Sequence, residues 1–443
     1  MRRNAIEKLK EWKDGKSRKP LIIRGARQVG KTWLMQAFGE ECYHDVITLN
    51  FDRDERLKEV FSSDISPGRL LADIEILSGK KINSGNTLLI FDEIQAVPRA
   101  LTSLKYFNEE APDIPIVAAG SLLGVALHAG TSFPVGKVSF LDLYPLSFAE
   151  FMDATGRLNL LEIALSEDKS ERRLFKDRLL GCVKEYTLIG GMPKVVADYA
   201  ENHDFDRAGD IQDEILSAYD QDISKHAPLS QVPRIRSVME SIPQQLSKEN
   251  KKFFYGQIKS GARGKDYELA LLWLSDCGLI HRVNRLNDIT YPIKAYENPD
   301  AFKIYLCDVG LLSKMAGLDA GILLHGDGIF DEFKGALAEQ YVLQELVANG
   351  DSPFYWSNVR GQSEVDFIIQ RGADIIPIEV KSGINLKSKS LKFYMDRFRP
   401  RRAVRASAAD HKVNPVEYAD GCVAELIDAP LYAFLPELTI EGC

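Results

Sequence analysis

The 443-residue sequence predicts an α/β protein in three regions: a parallel-sheet domain over residues 1–155, a helical middle with a winged-helix pattern over 156–325, and a second α/β domain over 326–443. Three observations predict it. An apolar run, Pro20-Leu21-Ile22-Ile23, meets a glycine-bounded loop and a helix-forming stretch near Lys31, after which short β-branched runs alternate with helical segments. From residue 160 to about 246 the apolar residues recur at helical spacing. In the last third, a long helical stretch precedes two runs of period 2 at 363–369 and 375–381.

Composition sets the outer bounds. With 45% hydrophobic and 27% charged residues the chain is globular and long enough to bury large cores. A net charge of -8 argues against wholesale polyanion binding but leaves room for a local basic face. The six cysteines form no C-x-x-C pair, and Cys42/His44 and Cys277/His281 are too few to build a zinc site locally. Such usage suits a reducing cytosol. The N-terminus runs into a charged helix with Ile6, Leu9 and Trp12 on one face, and no stretch reaches about 18 apolar residues, so a cytoplasmic protein without signal peptide or membrane span is expected.

The loop Arg24-Gly25-Ala26-Arg27-Gln28-Val29-Gly30-Lys31-Thr32 matches G-x-x-x-x-G-K-[ST]. Glycines at both ends allow a tight turn that gathers successive N–H groups, together with the positive end of the next helix, onto a phosphate chain. Residues Gly25 to Thr32 are therefore the nucleotide cradle, with Lys31 on the β- and γ-phosphates and the Thr32 hydroxyl on Mg²⁺.

A strand over 45–51 follows, then a helix from about 67 to 78. Asn86-Thr87-Leu88-Leu89-Ile90-Phe91-Asp92-Glu93 describes a buried parallel strand whose carboxyl end opens at a ligand crevice. Asp92 is placed to share the Mg²⁺ with Thr32, and Glu93 to polarise the attacking water. A third strand, 114–119, ends at Gly120-Ser121, which makes Ser121 a candidate sensor of the γ-phosphate. The run 138–143 is a further strand, and Ser147 and Glu150 after it have capping-box spacing.

The segments G-A-R-Q-V-G-K-T, L-L-I-F-D-E-I-Q, A-A-G-S-L-L and L-Y-P-L-S-F-A-E-F, in that order, resemble a large family of bacterial and archaeal AAA-superfamily ATPases with a C-terminal domain of unknown function. The resemblance covers essentially the whole chain. It implies a five-stranded parallel P-loop core, ATP as nucleotide and Mg²⁺ as counter-ion. The family usually shows Gly-Arg shortly before L-Y-P-L-S-F, where this chain has Gly136-Lys137. An arginine expected to complete the hydrolytic site is thus replaced by a lysine, which lacks the planar fork.

In the middle region Gly190-Gly191-Met192-Pro193 should make a turn. A one-faced apolar helix over 265–277, closed by Gly278, precedes strands at 279–283 and 302–306. That is a winged-helix pattern, open to either DNA or protein contact.

The last third carries a second carboxylate set. A helix over 331–348 presents Glu339, and Glu379 and Lys381, two apart on a strand, share a face that a neighbouring strand can complete with Asp366. This resembles the D…E-x-K signature of the PD-(D/E)xK nucleases, with Glu339 as the helical carboxylate. The resemblance implies a second divalent metal on Asp366 and Glu379, with Lys381 orienting the nucleophile or neutralising charge. Beyond it Lys387, Lys389, Lys392, Arg397, Arg399, Arg401, Arg402 and Arg405 crowd a short segment opposed in sequence only by Asp396, a pattern suited to phosphate backbones.

Two readings follow from these residues. In one, an ATP-hydrolysing AAA-type protein controls a nuclease-like domain acting on DNA or RNA. In the other, a nucleotide-dependent switch binds protein or nucleic acid through that domain without cutting it. A small-molecule kinase shares the loop but explains neither Asp92-Glu93 nor the second carboxylates. Oligomeric state is left open.

Overall fold

Five short apolar runs become five parallel strands: β1 (Leu21–Arg24), β2 (Asp45–Asn50), β3 (Thr87–Asp92), β4 (Ile116–Ala119) and β5 (Ser139–Asp142). Their order is β2-β3-β4-β1-β5, parallel throughout. Every residue of β3 and β4 is buried, as expected of central strands covered on both faces, and this is why they read as continuous apolar runs. A computed structural model describes residues 2–120, 134–166, 168–248, 251–325, 331–358 and 363–434.

Helices Lys31–Cys42, Pro67–Ser78 and Pro98–Glu110 connect these strands. Phe51, Phe61, Phe91 and Phe107 meet edge-on between sheet and helices, with centroids 5.3 to 6.2 Å apart, and centre the core. The N-terminal helix Ala5–Asp14 buries Ile6 and Leu9, as its periodicity predicts.

The remaining strands form one eight-stranded mixed sheet, ordered β12-β13-β11-β10-β9-β8-β6-β7. They are β6 (Ile280–Leu286), β7 (Glu297–Leu306), β8 (Phe354–Ser357), β9 (Glu364–Arg371), β10 (Asp374–Val380), β11 (Arg402–Ser407), β12 (Lys412–Glu417) and β13 (Val423–Pro430). The expected helix and hairpin are both present, as Gly264–Asp276 and the antiparallel pair β6/β7. The hairpin is not a free-standing wing. Its strand β6 pairs in parallel with β8, which makes it the edge of the C-terminal sheet.

Helices make up most of the described residues between 158 and 246, including Lys176–Ile189, Pro193–Asn202 and the 22-residue Phe205–His226, with the expected break at Gly190 and Gly191. Ser147 and Glu150 form the full capping box of helix Phe148–Ala154. The described chain divides into two compact units, one of Arg2–Tyr144 with Leu272–Leu279, the other of Pro145–Leu271 with the chain from Ile280 onward. No helix among the described residues is long and apolar enough to cross a membrane.

Candidate functional site

Strand β1 delivers the chain into the predicted loop with Gly25 at φ 144°, and a Cβ there would lie 2.1 Å from the Leu143 carbonyl oxygen. Only glycine fits. Gln28 takes a left-handed φ of 68°, Gly30 one of 91°, and the helix Lys31–Cys42 starts at once with its free N–H groups facing the loop. Lys31 folds back to donate to the carbonyls of Gly25 at 2.9 Å and Ala26 at 2.8 Å. It is 6% exposed, and burial lowers its ammonium pKa to about 8 despite the opposing pull of Glu93 and Asp92.

The strand order sets the carboxylates opposite the loop. Ala119 of β4 is in register with Ile23 of β1 on one side and Asp92 of β3 on the other. The Thr32 hydroxyl donates to both oxygens of Asp92 at 3.1 Å, so these two groups converge as the sequence predicts. Burial raises the Asp92 carboxyl above its ordinary range, partly opposed by the Thr32 donor. Glu93 is a non-glycine residue at φ 52°, a left-handed conformation that costs energy. The Gln95 amide holds it, donating to Glu93 Oε2 at 2.6 Å. Ser121 lies outside the described residues.

Three residues of this site escaped sequence reasoning. Asn50, in register with Asp92 at the end of β2, donates to Asp92 Oδ2 at 3.1 Å. Arg3, 4% exposed, donates to the carbonyls of Val29 at 3.0 Å and Tyr144 at 2.7 Å, which anchors the loop from the N-terminal end of the chain. Gly278, read only as a helix terminator, comes so close to the loop that a Cβ would stand 3.0 Å from the Ala26 nitrogen. None carries a local signal, apart from an arginine placed before a helix whose other charges are solvated.

Lys137 does not face this loop. It lies two residues before β5, whose first residue pairs with the first residue of β1, whereas the loop follows the last; the four-residue strand between spans about 13 Å at the usual rise. Its ammonium instead pairs with Glu109 at 2.8 Å. The expectation that position 137 completes the hydrolytic site of its own chain is corrected by the parallel register.

The second carboxylate set also assembles. The β9/β10 ladder pairs Ile378 with Phe367, one step from Glu379 and Asp366. Asp366 Oδ2 accepts from the Val380 N–H at 2.8 Å, and Lys381 Nζ donates to Glu379 Oε1 at 2.7 Å. Glu339 comes from helix Asp331–Ala348 and accepts from Tyr305 Oη at 3.0 Å and from Lys251. Burial, reinforced by Glu339 and Glu379, holds the Asp366 carboxyl well above its ordinary range. Burial alone would raise Glu339 too, but Lys251 and Lys303 hold it below.

Tertiary packing neutralises half of the basic segment. Arg399 pairs with Asp420 at 2.5 Å, Arg401 with Asp374 at 3.8 Å, Arg402 with Glu425 at 3.5 Å and Arg405 with Asp428 at 2.7 Å. These acids come from β10, β13 and the turn before β13, far along the chain. Lys387, Lys389, Lys392 and Arg397 are exposed and make no ion pair among the described residues.

A five-stranded parallel sheet with this loop, Thr32 against Asp92 and Glu93 at the strand tip is the arrangement of a P-loop ATPase domain. The family model for an AAA domain matches residues 17–152, and models for domains of unknown function match residues 182–321 (DUF8612) and 334–418 (DUF4143). The chain is similar to the solved Walker-type ATPase PABY2304 of Pyrococcus abyssi, at 17% identity and TM-score 0.45 over 71% of this chain and 95% of that one. It is also similar to the Orc1 protein of Aeropyrum pernix in complex with DNA, at 14% identity and TM-score 0.24 over 70% of this chain and 90% of that one. Cdc6p from Pyrobaculum aerophilum aligns at 11% identity and TM-score 0.22 over 68% of this chain and 88% of that one. No curated protein matches.

Proposed function

We propose that the chain is a Mg²⁺-dependent ATPase whose nucleotide state governs nucleic-acid binding by its C-terminal domain. The observation that carries the ATPase reading is the pairing of Thr32 with Asp92 beside a buried Lys31. A hydroxyl and one carboxylate, with phosphate oxygens and water as remaining ligands, is a donor set that suits Mg²⁺. Mg²⁺ bound with ATP neutralises charge on the phosphates. Lys31 would leave the Gly25 and Ala26 carbonyls to pair the phosphate chain, while Thr32 and Asp92 would hold the metal and Asn50 would fix the Asp92 rotamer. Glu93 would accept the proton of the attacking water, steadied by Gln95. Ser121 is retained as the proposed sensor because β4, which leads to it, runs between the loop strand and the Asp92 strand.

Nucleic-acid contact is assigned to the solvent face of helix Lys389–Phe398. Lys389, Lys392 and Arg397 are exposed there beside the 43% exposed ring of Phe393, with Lys387 just before the helix. Exposed cations interleaved with an aromatic ring suit a phosphate backbone and a stacked base. Cleavage at the second carboxylate set is the alternative, supported by the spatial convergence of Glu339, Asp366, Glu379 and Lys381. One experiment separates the readings: phosphate release and the fate of labelled single- and double-stranded DNA and RNA are followed with and without ATP and Mg²⁺. Retention without cleavage supports the binding reading, and fragments lost on Asp366→Ala transfer the function to cleavage. Absence of Mg²⁺-dependent phosphate release would overturn the ATPase itself.

A further inference from the structure

A two-metal or one-metal nuclease needs its carboxylates free to close on a divalent cation at about 2.0 to 2.6 Å. In this chain a cation already stands among them. Lys303 on β7 is 0% exposed, and its ammonium lies 2.5 Å from Glu364 Oε1, 3.9 Å from Glu339 Oε2 and 4.0 Å from Asp366 Oδ1. The Tyr355 ring lies beneath it, with the centroid 5.0 Å away. A buried lysine is tolerated only where its charge is met, and here three carboxylates meet it; their pull outweighs burial and holds the ammonium far above its ordinary range.

Most of the other carboxylate oxygens are also taken, Glu379 Oε2 being buried without a hydrogen-bond partner. Lys251 covers Glu339, Lys381 covers Glu379 Oε1, and the Val380 N–H covers Asp366 Oδ2. Four carboxylates, Glu339, Glu364, Asp366 and Glu379, thus face three ammonium groups, Lys251, Lys303 and Lys381, a formal balance of minus one. A divalent ion at the centre would have to displace Lys303, which is wholly buried. Among the described residues no group of three or more His, Cys, Asp and Glu side chains is arranged to hold a metal. The residues do not fit the metal that the D…E-x-K order implies.

We infer that Lys303 is a built-in cation occupying the place of the divalent ion, so that the carboxylate cluster of the C-terminal domain is a metal-independent structural hub. This rests on no property of the ATP site. It also explains why the signature is present in a domain proposed to bind without cutting: Glu339, Glu364 and Asp366 surround the buried Lys303, and removing one of them weakens the compensation of a buried charge.

The test is a Mn²⁺ titration of nucleotide-free full-length Lys31→Ala protein, by calorimetry and by the electron paramagnetic resonance of free Mn²⁺. No binding that a further Asp366→Ala change removes is expected. Lys303→Met in the same background, which keeps the side-chain length and deletes the charge, should gain a saturable Mn²⁺ site that Asp366→Ala abolishes, while Lys303→Arg should gain none. If Lys303→Met folds only with Mn²⁺ present, seen as a thermal transition that appears on adding the ion, the inference is equally supported. A Mn²⁺ site in the Lys303-containing protein that Asp366→Ala removes overturns it, whether or not the variants fold. So does a folded Lys303→Met protein that binds no Mn²⁺.

Discussion

Lys31 offers a quantitative test of the nucleotide site, because its protonation should be tied to binding. Burial lowers its pKa from 10.5 to about 8 in the nucleotide-free protein. A shift of that size corresponds to about 3 kcal/mol of unfavourable free energy for keeping the ammonium charged. The folded value lies below the unfolded one. The cost is therefore fully present below pH 8 and is relieved as pH rises from 8 to 10.5, so the nucleotide-free protein should gain stability across that window.

Phosphate oxygens beside Lys31 supply the missing counter-charge and should return its pKa toward 10.5. ATP binding then takes up about 0.1 proton at pH 7, about 0.5 at pH 8 and about 0.9 at pH 9. ATP's terminal phosphate, titrating near pH 6 to 7, releases almost nothing of its own at the two higher values. Calorimetry on the wild-type protein with a non-hydrolysable ATP analogue, in pairs of buffers with different ionisation enthalpies at each pH, reads the proton number directly. Affinity should fall progressively above pH 8. A proton number near zero at pH 8 and 9, with tight ATP binding, would refute the placement of a buried, depressed Lys31 against the phosphates.

Glu93→Gln should retain ATP affinity and lose about 10²- to 10⁴-fold in phosphate release; wild-type turnover would place the base elsewhere. Arg3→Met should weaken ATP binding and lower unfolding stability by about 2 to 3 kcal/mol, since it strips a charged donor from the buried Val29 and Tyr144 carbonyls; denaturant unfolding and ATP titration check both. Gly25→Ala should abolish nucleotide binding, because its Cβ cannot share space with the Leu143 carbonyl oxygen 2.1 Å away, and unchanged affinity in a folded variant would contradict the loop geometry. Lys137→Arg should leave phosphate release by the isolated chain unchanged, because Lys137 pairs with Glu109 at the end of the strands opposite the loop. An acceleration would point to an arginine reaching the site from a second copy.

Features governed by local rules were legible in the sequence. The loop and its helix need only the spacing of Gly25, Gly30, Lys31 and Thr32, and buried parallel strands announce themselves as short apolar runs. Hence β3 with Asp92 and Glu93, the Ser147 capping box and the E-x-K strand β10 were all placed within a residue or two. Period 2 also put Glu379 and Lys381 on one face, and their 2.7 Å contact follows.

What only the tertiary structure decided depends on which distant segments become neighbours. Parallel register carried Lys137 to the end of the strands opposite the loop, a consequence of strand direction that no motif encodes. Strand order brought Asn50 to Asp92, and chain return brought Arg3 and Gly278 to the loop. A run of arginines that looked unopposed found its acids on β10 and β13, because a sheet pairs residues tens of positions apart. Lys303 shows the same most clearly. In sequence it is one charged position in the apolar run 301–306, and only the joining of β7 and β6 to the C-terminal sheet makes it the counter-charge of Glu339, Glu364 and Asp366. Charge is additive in space, not along the chain, so the chemistry of a carboxylate motif is set by the cations that folding delivers to it.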